Sequence, residues 1–465
     1  MENKQMKNNI LTQIVKDKKT WLQQRMQAQP LSSFQDKIRP SQRSFYQALQ
    51  QKRQKGACIF ILECKKASPS KGLIRSDFDP QNIAATYRPY ATAISVLTDE
   101  KYFQGSFDYL DIVSQSVYQP VLCKDFIIDA YQIYLARYHQ ADAVLLMLSV
   151  LPNEDYLHLA EVAHQLNMGV LTEVISEEEV SRAIRLNAKV VGINNRDLRD
   201  MSIQPERTKK LSALLPESTI AISESGIHTH QDVKALRPYA DGFLIGSALM
   251  AENNLEHAVR KVTLGAHKVC GLTRIADAAV AYESGAAYGG LIFAPHSPRC
   301  ISAEKAAALV HAVPLQWVGV FVDESIERVI QLATHLQLSA VQLHGQEDEN
   351  YITELHTRLK AAHLPTHIWK ALSVKGQIPA MNNPLVACYL LDHGSGGTGQ
   401  SFDWHLLEHT PLQNVIIAGG MGADNVKRAL AFNAHGLDFN SGLETASGIK
   451  DKAKISEIFS IIQQL

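Results

Sequence analysis

Short apolar runs rich in Val, Ile and Leu recur along this chain in two consecutive series of eight, which limits the fold more than any other feature. The first series falls at Ala57–Cys64, Ala93–Leu97, Pro120–Cys123, Ala143–Leu148, Gly169–Glu173, Val190–Ile193, Thr219–Ile222 and Gly242–Ile245. The second falls at Lys268–Leu272, Gly290–Ala294, Val318–Val322, Ala340–Leu343, His367–Ala371, Val386–Leu391, Asn414–Ala418 and Gly436–Phe439. Runs this short and continuous suit strands buried on both faces, as in a parallel sheet. Amphipathic stretches such as Ile133–Tyr138 and Tyr156–Leu166 lie between them, and this alternation argues for right-handed βαβ units. Eight units per series predict an α/β protein of two fused (β/α)8 barrels. An open doubly wound sheet would alternate in the same way, but eight units twice over favour barrels. The second repeat is tighter, so the second barrel is expected to be smaller. A boundary within Ala251–His267 gives domains at residues 1–257 and 258–465. Nothing before Ala57 reads as a strand, so that segment is expected to form helices over one end of the first barrel.

Composition narrows the function. The 465 residues carry 46 Lys+Arg against 47 Asp+Glu, a formal net charge of −1, which offers no long-range attraction to nucleic acid or anionic lipid. The longest apolar stretch, near Ala143–Leu151, is far short of the ~20 residues that a membrane helix needs. The six cysteines are scattered without C-x-x-C spacing, which argues against a metal knuckle or a disulfide framework. The expectation is a cytoplasmic, monomeric protein acting on small molecules.

In a barrel, chemistry belongs at the carboxyl ends of the strands. There the first series delivers Glu63 and Lys65, Thr98 and Asp99, Lys124 and Asp125, Glu173, Asn194 and Arg196, and Glu224 and Ser225. Any one of these reads equally well as a structural ion pair at the barrel mouth. Their recurrence strand after strand points to a site. Ser-Glu-Ser-Gly-Ile at 223–227 and Gly-Ser at 246–247 put small residues after strands seven and eight, where barrels bind phosphate through backbone N–H groups. The second series repeats this with Ala-Gly-Gly-Met-Gly at 418–422 and Asn-Ser-Gly at 440–442, so both barrels are expected to grip a phosphate. Its strand ends also carry Cys270, Arg299, His344, Lys370 and Asp392. Cys270 after a first strand is more often a small buried residue than a nucleophile. Gly394–Gly399 fits G-x-G-x-x-G, but a dinucleotide fingerprint opens the first βαβ unit of a domain; after a sixth strand it reads as a flexible active-site loop. His228 with His230, and His405 with His409, lack a third ligand, so no metal site is expected.

Ten motifs carry a family resemblance. Glu-Cys-Lys-Lys-Ala-Ser-Pro-Ser-Lys-Gly at 63–72, Cys-Lys-Asp-Phe at 123–126, Leu-Thr-Glu-Val at 171–174, Gly-Ile-Asn-Asn-Arg-Asp-Leu at 192–198 and Ser-Glu-Ser-Gly-Ile at 223–227 resemble indole-3-glycerol-phosphate synthase. Val-Cys-Gly-Leu-Thr at 269–273, Ser-Pro-Arg at 297–299, Gln-Leu-His-Gly at 342–345, the Leu-Leu-Asp ending at Asp392 and Gly-Leu-Asp-Phe-Asn-Ser-Gly at 436–442 resemble phosphoribosylanthranilate isomerase. Together they span nearly the whole chain, in the order of the bacterial bifunctional tryptophan-biosynthesis enzymes. Asn440 departs from the small hydroxyl residue of many isomerases, which puts a side-chain contribution to phosphate binding there in doubt.

The resemblance implies that the second barrel acts first, in an Amadori rearrangement of N-(5-phosphoribosyl)anthranilate. Asp392 is then the acid on the ring oxygen and Cys270 the base, with a raised carboxyl and a lowered thiol pKa expected. It also implies that Arg299 grips the anthranilate carboxylate with two hydrogen bonds, that His344 contacts substrate, and that Gly419, Gly420, Ser441 and Gly442 hold phosphate. In the first barrel, which closes the indole ring with loss of CO2 and water, it implies Lys124 as general acid on the ketone. Lys65 and Glu173 would be the second acid and the base, with Glu63 and Asn194 as positioning groups. Arg196, Glu224 and Ser225 would hold substrate, and Ser68, Gly226, Gly246 and Ser247 the phosphate. The helices before Ala57 would cover the anthranilate ring. Neither reaction calls for a redox carrier or metal, so no cofactor is expected. A sugar-phosphate-binding regulator on degenerate barrels, or another double-barrel isomerase or aldolase, stays open at this point; intact acid–base residues and the motif order weigh against them.

Overall fold

A computed structural model describes residues 10–393 and 401–464; Met1–Asn9 and the loop expected at Gly394–Gly399 lie outside the described residues. The chain divides into two compact units, residues 1–228 with 232–259, and residues 229–231 with 260–465. Each contains a closed barrel of eight parallel strands in sequential order.

The first barrel is built from β1 (Ile59–Cys64), β2 (Ala93–Leu97), β3 (Val121–Lys124), β4 (Ala143–Met147), β5 (Gly169–Val174), β6 (Val190–Asn194), β7 (Ile220–Glu224) and β8 (Gly242–Ile245). The second is built from β9 (Lys268–Val269), β10 (Tyr288–Ile292), β11 (Gln316–Phe321), β12 (Ala340–Leu343), β13 (His367–Val374), β14 (Cys388–His393), β15 (Val415–Ile417) and β16 (Gly436–Phe439). All sixteen expected strands are present. β9 is shorter than its apolar run because ladder pairing stops at Val269, and β10 sits two residues earlier because Tyr288 pairs with Gln316. Many connecting helices open on an acceptor side chain, as where Asp129 accepts from Tyr131 N at 2.8 Å and Asp348 from Tyr351 N at 2.9 Å. Such a cap contributes about 1 kcal/mol and starts the helix promptly after its strand.

The segment before β1 differs from expectation. It forms two helices, α1 (Ile10–Ala28) and α2 (Phe45–Gln54), but they do not cover the same end of the barrel. On α1, Leu11, Ile14, Lys18 and Leu22 are buried. Lys18, only 3 % exposed, places its ammonium 2.7 Å from both Asp99 and Asp125, just past the carboxyl ends of β2 and β3. A buried cation between two carboxylates anchors α1 at the chemical end. Breaking such a buried group leaves uncompensated charge at a cost of about 3–5 kcal/mol. By contrast, Phe45 of α2 packs against Gly169, and Tyr46 accepts from Val170 N at 2.9 Å, where β5 begins. One helix therefore closes each end, and α2 is also tied to the floor by Arg53, whose Nε lies 2.9 Å from Asp241 Oδ1 just before β8.

Candidate active sites

Side chains alternate along a strand, so one residue in two points into the barrel. The last inward positions of β1, β3, β5 and β7 are Glu63, Lys124, Glu173 and Glu224, which form one layer of four from alternate strands. Lower layers are apolar, with Ile59, Ile61, Leu122, Leu171, Ile220 and Ile222 in one core cluster. The top layer is charged. Lys124 Nζ stands 3.3 Å from Glu224 Oε2 and 3.6 Å from Glu63 Oε2, and Lys65 Nζ is 2.5 Å from Glu63 Oε1.

Burial and neighbours split the three carboxyls. Burial pushes Glu63 upward, but Lys65 and Lys124 outweigh it and hold the group below the usual carboxylate range. Burial raises Glu224 to about 7, against the pull of Lys124 and with a further push from Glu173 and Glu63. Burial also raises Glu173, opposed by Lys124 and by a hydrogen bond from Asn194. For Lys124 burial favours the neutral amine, yet Glu224, Glu63 and Glu173 overcome it and keep the ammonium protonated. Glu224 Oε1 is buried without a hydrogen-bond partner among the described residues, while Glu224 Oε2 and Glu63 Oε2 rely on their ion pairs with Lys124.

Two glycines make room for this layer. A Cβ on Gly192 would press on Glu224 Oε1, and one on Gly246 would press on Glu63 Oε1. Gly192→Ala is expected to lower synthase kcat/KM at least about tenfold by displacing that carboxylate, since small misplacements cost this much. Steady-state assay of the variant checks it, and wild-type turnover would contradict it.

Around the rim, Ser225 (φ 65°) and Gly226 (φ 77°) are successive positive-φ residues, a tight turn directly after β7. Lys65 Nζ reaches Ser247 Oγ at 3.4 Å, and Ser68 Oγ accepts from Lys71 N at 3.3 Å. Asn194 Oδ1 accepts from Arg196 N at 2.9 Å. The twelve residues given a catalytic, substrate or phosphate role in the first barrel all line one cavity of about 160 Å³, whose apolar wall includes Phe103, Phe126, Leu145 and Met147. Asp99 and Thr98 lie outside this lining: Asp99 is bound to Lys18, and Thr98 donates to Asp125 at 2.6 Å, so for these two the structural reading holds.

In the second barrel Cys270 follows β9 and is 4 % exposed, and Asp392 lies on β14. Burial raises Asp392 to about 6, against the His393 N–H that donates to its Oδ1 at 2.7 Å. The lowered thiol pKa expected for Cys270 is not found. Burial pushes the thiol up, and the Lys268 and Lys450 ammonium groups offset this only partly. His344 Nε2 lies 3.7 Å from Asp392 Oδ2, while its Nδ1 meets Gln342 Nε2 at 3.0 Å. Burial, together with Lys268 and Lys370, lowers His344 to about 4, so its ring is neutral.

Arg299 is already gripped along one edge: its Nε and Nη2 donate to Glu444 at 2.9 and 2.7 Å. Lys450 shares Glu444 at 2.8 Å and also donates to Asn440 Oδ1 at 2.9 Å. The Asn440 side chain is thus committed to Lys450. On the phosphate side Gly419 (φ 86°) and Gly420 (φ 59°) form a second pair of left-handed residues. A Cβ on Gly442 would strike the Met421 carbonyl, so the 440–442 turn and the glycine turn touch backbone to backbone. Lys370, expected near a strand end, lies inside the longer β13 and turns to Glu347 at 2.7 Å and the Gly345 carbonyl at 2.8 Å, a structural tie.

Sequence reasoning passed over Lys268, Asp438, Glu444 and Lys450. The signal for the first two was a charge inside an apolar strand run, in phase with Cys270 and Asn440. Of the histidines weighed as ligands, His405 pairs with Glu408 at 2.9 Å on the surface and His230 meets the Val262 carbonyl at 3.0 Å. The one group of ligating side chains gathered among the described residues is Asp108, Asp111 and His139, on the helices flanking the first barrel.

Two (β/α)8 barrels, each with buried acid–base groups over its strand ends and a tight positive-φ turn beyond its seventh strand, define a double-barrel enzyme. Residues 11–262 match the family model for indole-3-glycerol phosphate synthase, and residues 267–461 that for N-(5'-phosphoribosyl)anthranilate isomerase. The chain is 57 % identical over 454 residues to the tryptophan biosynthesis protein TrpCF of Salmonella typhi, covering 98 % of this chain and 99 % of that one. It is 57 % identical to the Yersinia pestis TrpCF (98 % and 94 % covered) and 53 % to that of Vibrio cholerae (97 % and 95 %). The chain belongs to this family of bifunctional tryptophan-biosynthesis enzymes, with an amino-terminal synthase and a carboxy-terminal isomerase. No helix among the described residues is long and apolar enough to cross a membrane.

Proposed function

We propose that the second barrel, assigned residues 258–465, isomerises N-(5-phosphoribosyl)anthranilate through Asp392 and Cys270. Asp392 protonates the furanose oxygen, which opens the ring to an iminium. Cys270 then removes the proton from the neighbouring sugar carbon, and the resulting enolamine tautomerises to the ketone. Arg299 offers its remaining Nη1–Nη2 edge to the anthranilate carboxylate, with Glu444 fixing the plane of the fork. Neutral His344 contacts substrate as a hydrogen-bond donor. The backbone at Gly419, Gly420, Ser441 and Gly442 receives the phosphate.

The first barrel, residues 1–257, closes the ring. Lys124 is held firmly protonated, so it suits stabilisation of the oxyanion that forms as the aromatic carbon attacks the ketone. Decarboxylation then restores aromaticity. Lys65 assists departure of the hydroxyl, and Glu173, raised by burial, accepts the last proton. Glu63 and Asn194 position the two lysines and Glu173; Glu224, Arg196 and Ser225 bind the substrate body; Ser68, Gly226, Gly246 and Ser247 bind its phosphate. The apolar wall at Phe103 and Phe126 receives the aromatic ring. A cytoplasmic monomer completes the proposal, and the near-zero net charge supports the absence of a nucleic-acid partner.

The observation that carries this reading is that Asp392, its carboxyl raised by burial, and the buried Cys270 thiol both face the Lys268–Asp438 pair. It has a pH signature. The active form needs Asp392 protonated and Cys270 deprotonated, the reverse of their resting states at neutral pH. Isomerase kcat/KM is expected to rise tenfold per unit up to about pH 6, where Asp392 titrates, and then stay level until the thiol titrates. A profile without a break near pH 6 would contradict the assignment.

A further inference from the structure

The second barrel contains a fully buried ammonium that the reaction as written does not use. Lys268 is 0 % exposed, and its Nζ lies 2.9 Å from Asp438 Oδ2 across the β9–β16 ladder, where the two residues are register partners. Lys268 and Cys270 are two residues apart and project to the same side of β9. A Cβ on the neighbouring Gly290 would stand 2.7 Å from Cys270 Sγ and 3.0 Å from Lys268 Cε, so the two side chains converge over that glycine. The Lys268 ammonium acts on the Cys270 sulfur as well as on Asp438. A buried ion pair is expensive to maintain and a hydrophobic pair often serves stability as well, so stability does not explain its place beside the sulfur.

We propose that Lys268, restrained by Asp438, is a positioning residue that sets how readily the Cys270 sulfur gives up and retakes its proton. The proposal rests on the reading of Cys270 as the base. The ammonium acts on the sulfur and favours the thiolate; Asp438 holds the ammonium in place and, as an anion, limits that effect. The other charges acting on the sulfur are Asp438 and, on the loop side, Lys450 and Arg299, both of which are bound to Glu444; Asp392 from β14 faces Lys268 and Asp438. Substrate carbon gives its proton to the sulfur while Lys268 keeps its own, so the step needs no further reactant.

The two partners predict shifts of opposite sign. Lys268→Met removes the cation, and Asp438→Asn removes the anion while keeping a hydrogen-bond acceptor for Lys268. In the full chain, iodoacetamide labelling of Cys270, read by peptide mass spectrometry across pH, reports the thiolate directly. Lys268→Met is expected to slow labelling at pH 7 roughly tenfold, and Asp438→Asn to speed it, because a neighbouring charge moves a pKa by about one unit or more. The level stretch of the isomerase pH profile should fall in the first variant, and its upper break should move down in pH in the second. A purely structural role would move both variants the same way, and that result, or unchanged labelling, overturns the proposal. If Lys268→Met does not fold by circular dichroism, the sign for Asp438→Asn decides alone. Cys270→Ala separates the two ideas: retained isomerase activity would overturn the base assignment, while the labelling series still reports on the triad.

Discussion

Lys124→Ala is expected to lower synthase kcat/KM by about 10³-fold while phosphoribosylanthranilate continues to be consumed, so that the ring-opened ketone accumulates. The effect is large because Lys124 does two things in one layer. It is the donor best placed for the developing oxyanion, and loss of such a donor costs about 10²–10³. It is also the cation that Glu63, Glu173 and Glu224 share, and two of these contact it within 3.6 Å. Without it, buried carboxyls relax toward the neutral acid, and the groups that should accept protons hold them instead. Chromatographic quantitation of the intermediate checks the prediction. Synthase flux within tenfold of wild type would remove Lys124 from its assigned role.

Cys270→Ala is expected to stop the first step as thoroughly, since loss of a general base costs about 10²–10⁴. Its more informative use is in a mixture with Lys124→Ala. The residues of each candidate site belong to one compact unit, so each barrel carries a whole catalytic set. An intermediate released by one chain can then be used by another. Equal amounts of the two variants should restore conversion of phosphoribosylanthranilate to indoleglycerol phosphate, after a lag while the intermediate builds up. No flux from the mixture, with each single variant folded, would show that the intermediate does not pass between chains.

Much of this molecule was legible beforehand, for identifiable reasons. Strands buried on both faces write themselves as continuous apolar runs, so β2, β8, β12 and β16 fall on the expected residues. Glu63, Lys124, Glu173 and Glu224 were legible because a charge ending an apolar strand has few structural excuses. What the strand pattern could not supply was the field inside the barrel. Cys270 is surrounded by Lys268, Asp438 and Lys450, which come from β9, β16 and the ribbon after it, and whether burial or those charges wins depends on packing. Glu444 was equally hidden: it lies far along the chain from Arg299 and meets it only when the ribbon Glu444–Lys450 folds back. The placement of α1 and α2 at opposite ends was likewise out of reach, since amphipathicity says which face of a helix is buried but not against which end of a barrel.

The most direct test of the account adds chemically prepared phosphoribosylanthranilate to the purified wild-type chain and follows indole fluorescence and CO2 release together. One CO2 per indoleglycerol phosphate is expected, with a brief appearance of the ring-opened ketone. Consumption that halts at the ketone would show that the charged layer of the first barrel is not a catalytic site. Unchanged substrate would contradict the role given to Asp392 and Cys270.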